Sequence, residues 1–333
     1  MKRPDASVVI VSYNTRELTQ RCLRELLASR TPDVSFDVTV VDNASADGSA
    51  DAIAADFPDV RLIRLAENVG WGRAVNRGTV ATDGEYVLLL NPDTTPVGHP
   101  VADLVSFARR HPEHGLYTGR TLRPDGSDDG YSCWGLPSLW SSFCFASGLS
   151  TLLPRQGWAN PEGLPHYDRR TVREVPAVSG CCMLVERDLF YRLGGFDPVY
   201  FLYSEDIDLC ARARSLGARP VVVPDAAVVH IGGASSSSEG QRVRLLRGRA
   251  TYVRRRWPRS QARLALGLMT AGVGLRALGK SVLGKDRSRG VDWVTVWRER
   301  RVWLAGWPGV DEPRPPLTSL EATARAAGGV TVS

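Results

Sequence analysis

With 333 residues and 43% hydrophobic content, the chain can bury one large domain with an appendage, or two domains, and it is not a disordered protein. The net charge of +6 is uneven: residues 239–301 hold 17 Lys and Arg against 4 Asp and Glu, an excess of +13 that leaves −7 for the rest. An acidic body with a basic, Trp-bearing end suggests contact with anionic lipid headgroups or with nucleic acid.

Cysteines at 22, 133, 144, 181, 182 and 210 follow no CxxC spacing, so they read as reduced thiols of an intracellular chain without structural zinc. Residues 1–13 offer only a short apolar run, below a signal-peptide core, and the amino terminus is expected to face the cytosol.

Residues 7–13 (SVVIVSY) predict a first strand, and Asn14-Thr15-Arg16-Glu17 a capping box opening a helix with Leu18, Cys22, Leu26 and Leu27 on its apolar face. A second strand, 37–41, ends in Asp42-Asn43, and Ser45 or Ser49 can cap a short helix through Phe57. A third strand, 60–65, ends near Glu67-Asn68, and a short helix covers 70–78. The fourth strand, 86–90, runs apolar from Val87 to Leu90, as a strand buried on both faces does, and stops at Asn91-Pro92-Asp93 because proline cannot continue a ladder. Strands alternating with helices predict right-handed crossovers and a parallel α/β sheet.

In such a sheet the polar tips Ser12-Tyr13-Asn14, Asp42-Asn43, Glu67-Asn68 and Asn91-Pro92-Asp93 lie along one edge, where open α/β sheets bind ligands. Wet loops explain any one tip; four carrying carboxylates or carboxamides point to a shared pocket. No GxGxxG follows the first strand, which argues against a dinucleotide-dependent dehydrogenase. A divalent cation on Asp93 is then the simplest way to neutralise a nucleotide diphosphate.

A helix is expected over 97–111. From 119 to 174 the pattern dissolves into Gly, Pro, Ser and aromatics, and Trp134, Trp140, Phe143, Phe145 and Trp158 either line an acceptor site or form the core of a loop-rich insertion. Strand character returns over 178–186 around Ser179-Gly180, followed by a short helix stopped by Gly194-Gly195. In FDPVYFLYSEDIDL, 196–209, Ser204 can cap a helix whose first turn holds Glu205, Asp206 and Asp208. The helix dipole accounts for one or two such carboxylates, and three invite a functional role. A last extended segment ends at His230, before Gly232-Gly233 and a serine run, where a ligand is as plausible as an ordinary surface histidine. In the basic end only Leu264–Leu275 is free of charge; too short to span a bilayer, it can lie in the interface or pack as a helical hairpin on the body. The expected division is a catalytic body, 1–236, a basic helical segment, 237–305, and a loose tail, 306–333.

Taken in order, VVIVSYNT, VVDNASADGS, ENVGWGRAVNRG, LLLNPDTTP, GGFDPVYFLYSEDIDLCAR and VVHIGGAS resemble the inverting family 2 glycosyltransferases, most closely the bacterial rhamnosyltransferases and galactofuranosyltransferases of cell-surface glycan assembly. The resemblance covers 7 to about 236. It implies a GT-A type, Rossmann-like fold, a dTDP- or UDP-sugar donor, Mg2+ or Mn2+, and one displacement at the anomeric carbon. Carried over, Asp42 contacts the base or ribose, Asn68 and Gly70 shape that wall, and Ser12, Tyr13, Asn14, Asn43, Arg73 and Asn91 complete the donor side. Asp93 is the metal-binding Asp of a DxD motif whose first Asp is here Asn91, and His230 joins it. Asp206 is the general base with Glu205 beside it, and Trp134, Gly180 and Glu205 face the acceptor. The implied setting is cytoplasmic, peripheral to an anionic membrane surface, with a lipid-linked or cell-envelope glycan acceptor and no nucleic acid.

The chemistry asks for these groups independently. Breaking a glycosyl diphosphate builds negative charge that a metal stabilises, and a carboxylate on the opposite face of the sugar takes the acceptor proton. At a helix amino terminus Asp206 should be ionised, at the cost of basicity that partial burial can restore. Two other readings are a sugar-phosphate nucleotidyltransferase, whose glycine-rich first loop SYNTRELTQ does not supply, and a nucleic-acid binder acting through the basic end, against which the acidic body argues.

Overall fold

The computed structural model describes residues 3–231, 238–283 and 291–313. The first half alternates as expected: β1 (Ala6–Ser12), α1 (Arg16–Ala28), β2 (Phe36–Asp42), α2 (Ser49–Asp56), β3 (Arg61–Arg64), α3 (Trp71–Val80) and β4 (Tyr86–Leu90). These strands lie in the order β3-β2-β1-β4, parallel throughout, so their carboxyl ends share one edge. Two starts differ from expectation. Thr15 does not cap α1, because its hydroxyl is shared with Ser12 and Thr19; Asp47 accepts from the Arg16 N–H instead, at 2.9 Å. Gly48, at φ +78°, precedes α2, and Ser49 is turned onto Asp47.

The second half holds β5 (Thr94–Val97), α4 (Pro100–Arg110), β6 (Leu116–Leu122), β7 (Cys133–Trp134), α5 (Leu139–Ala146), α6 (Leu149–Leu152), β8 (Arg173–Glu174), β9 (Ala177–Val178), β10 (Cys182–Glu186), α7 (Arg187–Arg192), α8 (Glu205–Ser215) and β11 (Val221–His230). The sheet continues β4-β10-β6-β11-β5, with β10 antiparallel to both neighbours, β6 parallel to β11, and β5 antiparallel at the edge. β5 was expected to be loop and helix start; an edge position is where its Pro96 is tolerated. β6 crosses the expected start of the insertion at 119: its polar residues hid a strand in which Thr118 donates to the Cys182 carbonyl at 2.9 Å. One core, around Leu23, Leu26 and Leu104, covers one face of the sheet, and another, around Val75, Phe196 and Leu209, covers the other.

Beyond β11 come α9 (Ser238–Arg256), α10 (Arg259–Leu283), α11 (Trp293–Arg298) and α12 (Arg300–Ala305), packed around Met269, Val273, Trp293 and Trp303. Ion pairs fasten them to the body: Arg256 with Asp208 at 2.6 Å, Arg255 with Asp197 at 2.7 Å, and Arg249 with Glu162. α10 thus packs with Ala265, Met269 and Val273, yet Leu264, Leu275 and Leu278 stay exposed. The expected loose tail begins packed, since Trp307 and Val310 are buried and Arg247 lies 4.4 Å from the Trp307 ring centre. The glycine-serine run at 232–237 and the tail from 314 lie outside the described residues. No helix of the described residues is long and apolar enough to cross a membrane, and all six cysteines are buried free thiols.

Candidate active site

The β4 tip carries Asn91 and Asp93, and neighbouring segments fix both. Asn91 N–H donates to the Cys181 carbonyl at 3.0 Å, and the Asp93 carbonyl accepts from Ile231 N–H at 3.1 Å. Because β5 pairs with β11, opposing Thr94 to His230, the His230 ring comes beside Asp93, Nε2 to Oδ2 at 3.4 Å. On its other side Nδ1 faces Oδ2 of Asp129 at 3.4 Å, a carboxylate buried under the Thr121 hydroxyl and the Tyr131 N–H. Asp129 was not singled out in the sequence, where DGSDDGYS reads only as a turn. Burial opposes the charge on His230, but Asp129 and Asp93 on either side raise its pKa to about 9.

An imidazole nitrogen and a carboxylate oxygen this close are a ligand pair for a cation of the Mn2+ or Mg2+ class, which takes few protein ligands and leaves the rest to water and phosphate. A carboxylate behind Nδ1 is the usual support of a metal-binding histidine. The residues present therefore fit the implied ion. Elsewhere, before β6, ligand atoms of His111, Glu113 and His114 lie within 4.8 Å of one another.

Across the segment Gly180-Cys181 stands α8. Asp206 Oδ2 accepts from Gly180 N–H at 3.3 Å and Oδ1 from Ile207 N–H at 2.8 Å. Thus Asn91, two residues before Asp93, and Asp206 each make one hydrogen bond to the consecutive residues Cys181 and Gly180. Ser204 does not cap this helix: Tyr203 and Ser204 both take positive φ, +70° and +73°, and Ser204 makes no side-chain cap. Asn14 and Ala44, at the β1 and β2 tips, also have positive φ, as do Leu164 and Arg169 in the insertion.

The three carboxylates of α8 do different things. Asp208 is fully buried between Arg212 and Arg256 and helps fasten α9; although burial opposes it, the two guanidinium groups hold its pKa below the usual range. Glu205 is buried with Oε2 unpartnered, and burial, then the Asp206 charge, pushes it up to about 8. Half-buried Asp206 is raised as well, by burial, so the basicity expected only on acceptor binding is already present. For Glu205 the folded state favours the neutral acid, so stability falls as pH rises from 4.5, the ordinary value, through about 8. Glu205→Gln is therefore expected to raise Tm relative to wild type near about pH 9 and to bring no gain near about pH 5; an equal shift at both pH values contradicts this.

Asp42, expected to face the donor, is buried, with Oδ2 accepting from Ser45 N–H and Oδ1 without a hydrogen-bond partner among the described residues. Asn43 and Asn68 spend their amides on each other and on the 69–70 backbone. That loop seats Gly70, where any Cβ would meet the Phe201 carbonyl at 2.4 Å. Gly180 is equally constrained, since a Cβ there would stand 2.6 Å from the Trp71 ring, which in turn meets Phe196 edge-on. Asn14 accepts from Ala46 N–H and ties the β1 and β2 tips, with Tyr13 exposed beside it. Ser12 is fully buried and bonded to Thr15 and Thr19, and exposed Arg73 donates to the Pro198 carbonyl at 2.7 Å.

On the acceptor side Trp134 is half-buried, pairs through β7 with β9 just before Gly180, and packs on exposed Tyr131 at 5.4 Å. Tyr203, raised by burial, also feels Glu205 and Asp93, and Arg244 counters them; the α9 side of the cleft thus brings a cation the sequence reading did not name.

A sequence model described as Glycosyl transferase family 2 matches residues 7–194. Over 235 residues the chain is 34% identical to N-acetylglucosaminyl-diphospho-decaprenol L-rhamnosyltransferase of Mycobacterium tuberculosis, covering 67% of this chain and 75% of that one. It is 32% identical over 152 residues to rhamnosyltransferase WbbL of Escherichia coli, covering 44% and 53%. Among solved structures, mannosyltransferase PcManGT from Pyrobaculum calidifontis, in complex with GDP-Man and Mn2+, shares the fold with a TM-score of 0.55 at 18% identity over 98% of this chain and 87% of that one. GalNAc-T7 with UDP, GalNAc and Mn2+ gives 0.59 at 15%, over 95% and 59%.

Proposed function

The chain belongs to glycosyl transferase family 2 and is a glycosyltransferase of GT-A type fold, and from that premise we propose that it moves a rhamnose-like deoxysugar from a dTDP- or UDP-sugar to a lipid-linked glycan with inversion. What supports this reading is that the Asn91–Asp93 tip, with His230 beside Asp93, is bonded through Asn91 to Cys181, while Asp206 is bonded to the neighbouring Gly180. A leaving diphosphate and an attacking hydroxyl must sit on opposite faces of the sugar, and these groups offer a cation site for the one and a base for the other.

Asp42 receives the nucleoside through its free oxygen, on a wall braced by Asn43, Asn68 and Gly70. Asp93 and His230 hold the divalent ion, which when bound supplies positive charge to the departing diphosphate. Asp206, raised by burial, accepts the proton of the acceptor hydroxyl as the new bond forms, while Glu205, neutral below about 8, spares it a second negative neighbour. Trp71 and Trp134 offer flat faces for sugar rings. The basic segment and exposed leucines of α10 support a peripheral place at an anionic membrane surface.

The test is transfer from dTDP-rhamnose, with Mn2+, to N-acetylglucosaminyl-diphospho-polyprenol. A product of inverted anomeric configuration is expected; retention of configuration, or hydrolysis without transfer across a panel of nucleotide sugars, overturns the proposal.

A further inference from the structure

Two arginines on the C-terminal helices have no carboxylate partner among the described residues. Arg242 of α9 and Arg276 of α10 converge on Trp293, with guanidinium carbons 5.6 and 5.3 Å from its ring centre. Arg276 donates to the Gly272 carbonyl of its own helix at 2.9 Å, whereas Arg249, Arg254, Arg255 and Arg256 on α9 each reach a carboxylate. Arg242 Nε and Trp293 Nε1 are buried donors with no acceptor. Two cations held together beside two buried N–H donors without an acceptor are chemically suited to an anion. Burial depresses both guanidinium groups, and Arg242 adds to the effect on Arg276.

The surroundings set the kind of anion. On one side, Arg242 is within electrostatic reach of the Tyr131 phenol, whose ring packs on Trp134 next to the acceptor wall. On the other, Arg276 stacks on Phe145 at 4.3 Å and donates to Thr151 at 3.1 Å, beside the apolar surface of Leu152, Leu275 and Leu278, which are 65%, 60% and 62% exposed. Neighbour by neighbour, Asp206 bonds Gly180, β9 just before it pairs with Trp134, Trp134 packs on Tyr131, Tyr131 lies within electrostatic reach of Arg242, Arg242 of Arg276, and Arg276 is flanked on its helix by the exposed leucines. A sugar joined through diphosphate to a prenyl chain carries the matching groups in the same order.

Resting on the lipid-linked acceptor proposed above, we infer that Arg242 and Arg276 hold the diphosphate of a polyprenyl-diphosphate acceptor, with the sugar toward Trp134 and the prenyl chain along Leu152, Leu275 and Leu278. A bidentate guanidinium fork suits a diphosphate better than a point charge does.

Flotation of the full chain with phosphatidylcholine vesicles tests this, one set carrying undecaprenyl diphosphate and a second carrying phosphatidylglycerol at equal charge. Wild type is expected to prefer the first set, and Arg242→Gln with Arg276→Gln to lose at least roughly tenfold of that binding, the scale of a lost charged hydrogen bond. Should the double variant unfold, inhibition of wild-type binding by inorganic pyrophosphate, and weaker preference for the first set in the two Arg→Lys variants, which keep the charge but lose the fork, serve the same end. Equal affinity for both vesicle sets assigns the pair to general headgroup contact and overturns the inference, as does full binding by the Gln variants. If the preference holds but no sugar is transferred to any polyprenyl-linked acceptor, the functional proposal fails and this site stands.

Discussion

Asp206→Asn is expected to lower turnover by about 10²–10⁴-fold while donor affinity stays within about twofold of wild type. The amide keeps the shape of the carboxylate and its place at the start of α8, where the Gly180 and Ile207 N–H groups point at it, but it cannot accept a proton from an incoming hydroxyl. Donor affinity should survive because the groups facing the nucleotide, Asp42 and the Asn43–Asn68–Gly70 wall, sit on other strand tips. Initial rates with saturating donor and acceptor, set beside the thermal shift given by the donor nucleotide alone, separate the two effects. Since burial raises Asp206, the acid limb of the wild-type pH profile of kcat/KM should lie above the usual aspartate range and should disappear in the Asn variant. Turnover near wild type would remove Asp206 from the role of base. A parallel loss of donor binding would mean instead that the substitution had disturbed the Gly180-Cys181 segment shared with Asn91.

The first half of the chain was legible because its strands obey a strong rule. β1, β2 and β4 are buried on both faces, so they read as unbroken apolar runs, and parallel pairing then forces their polar ends to one edge. The other half breaks that rule. β6 lies in the interior of the sheet yet contains Thr118, Gly119, Arg120 and Thr121, because buried hydroxyls there satisfy backbone and Asp129 acceptors; β5 carries a proline that only its edge position permits. Asp129 escaped notice for the same reason, since its role exists only once β6 and β11 are neighbours. Ser12 shows the converse difficulty. A polar residue at a strand tip looks available, but the alternation of side chains turns this one inward onto α1. The carboxylates of α8 could be counted from sequence, yet their division into an ion-pair anchor, a neutral acid and a candidate base depends on which arginines α9 brings from about fifty residues away.

Asp93→Ala should weaken metal-dependent donor binding and cut kcat/KM by roughly 10²–10³-fold, the scale of losing a preorganised electrostatic contact to a developing oxyanion. The site has few protein ligands to spare: Asp93 and His230 are the pair, and the DxD-like motif has already given up one carboxylate at Asn91. Removing Asp93 also takes away one of the two anions flanking His230, leaving Asp129 alone beside a ring that a cation would need in its neutral form. The measurement must be donor-linked. His111, Glu113 and His114 offer a second cluster of donors near the start of β6, which pairs with the half of β10 that lies against the amino-terminal end of β4, so bulk stoichiometry of bound Mn2+ can stay high in the variant. Thermal stabilisation by dTDP or UDP with and without Mn2+ avoids that background: wild type should gain stability only, or mainly, when both are present, and the Ala variant should show the same small shift with or without the metal. Transfer activity in wild type should fall with EDTA and return with added Mn2+. A wild-type enzyme indifferent to chelator, or a variant whose donor shift still depends on Mn2+, would move the cation away from the β4 tip and leave the diphosphate to be neutralised by other groups.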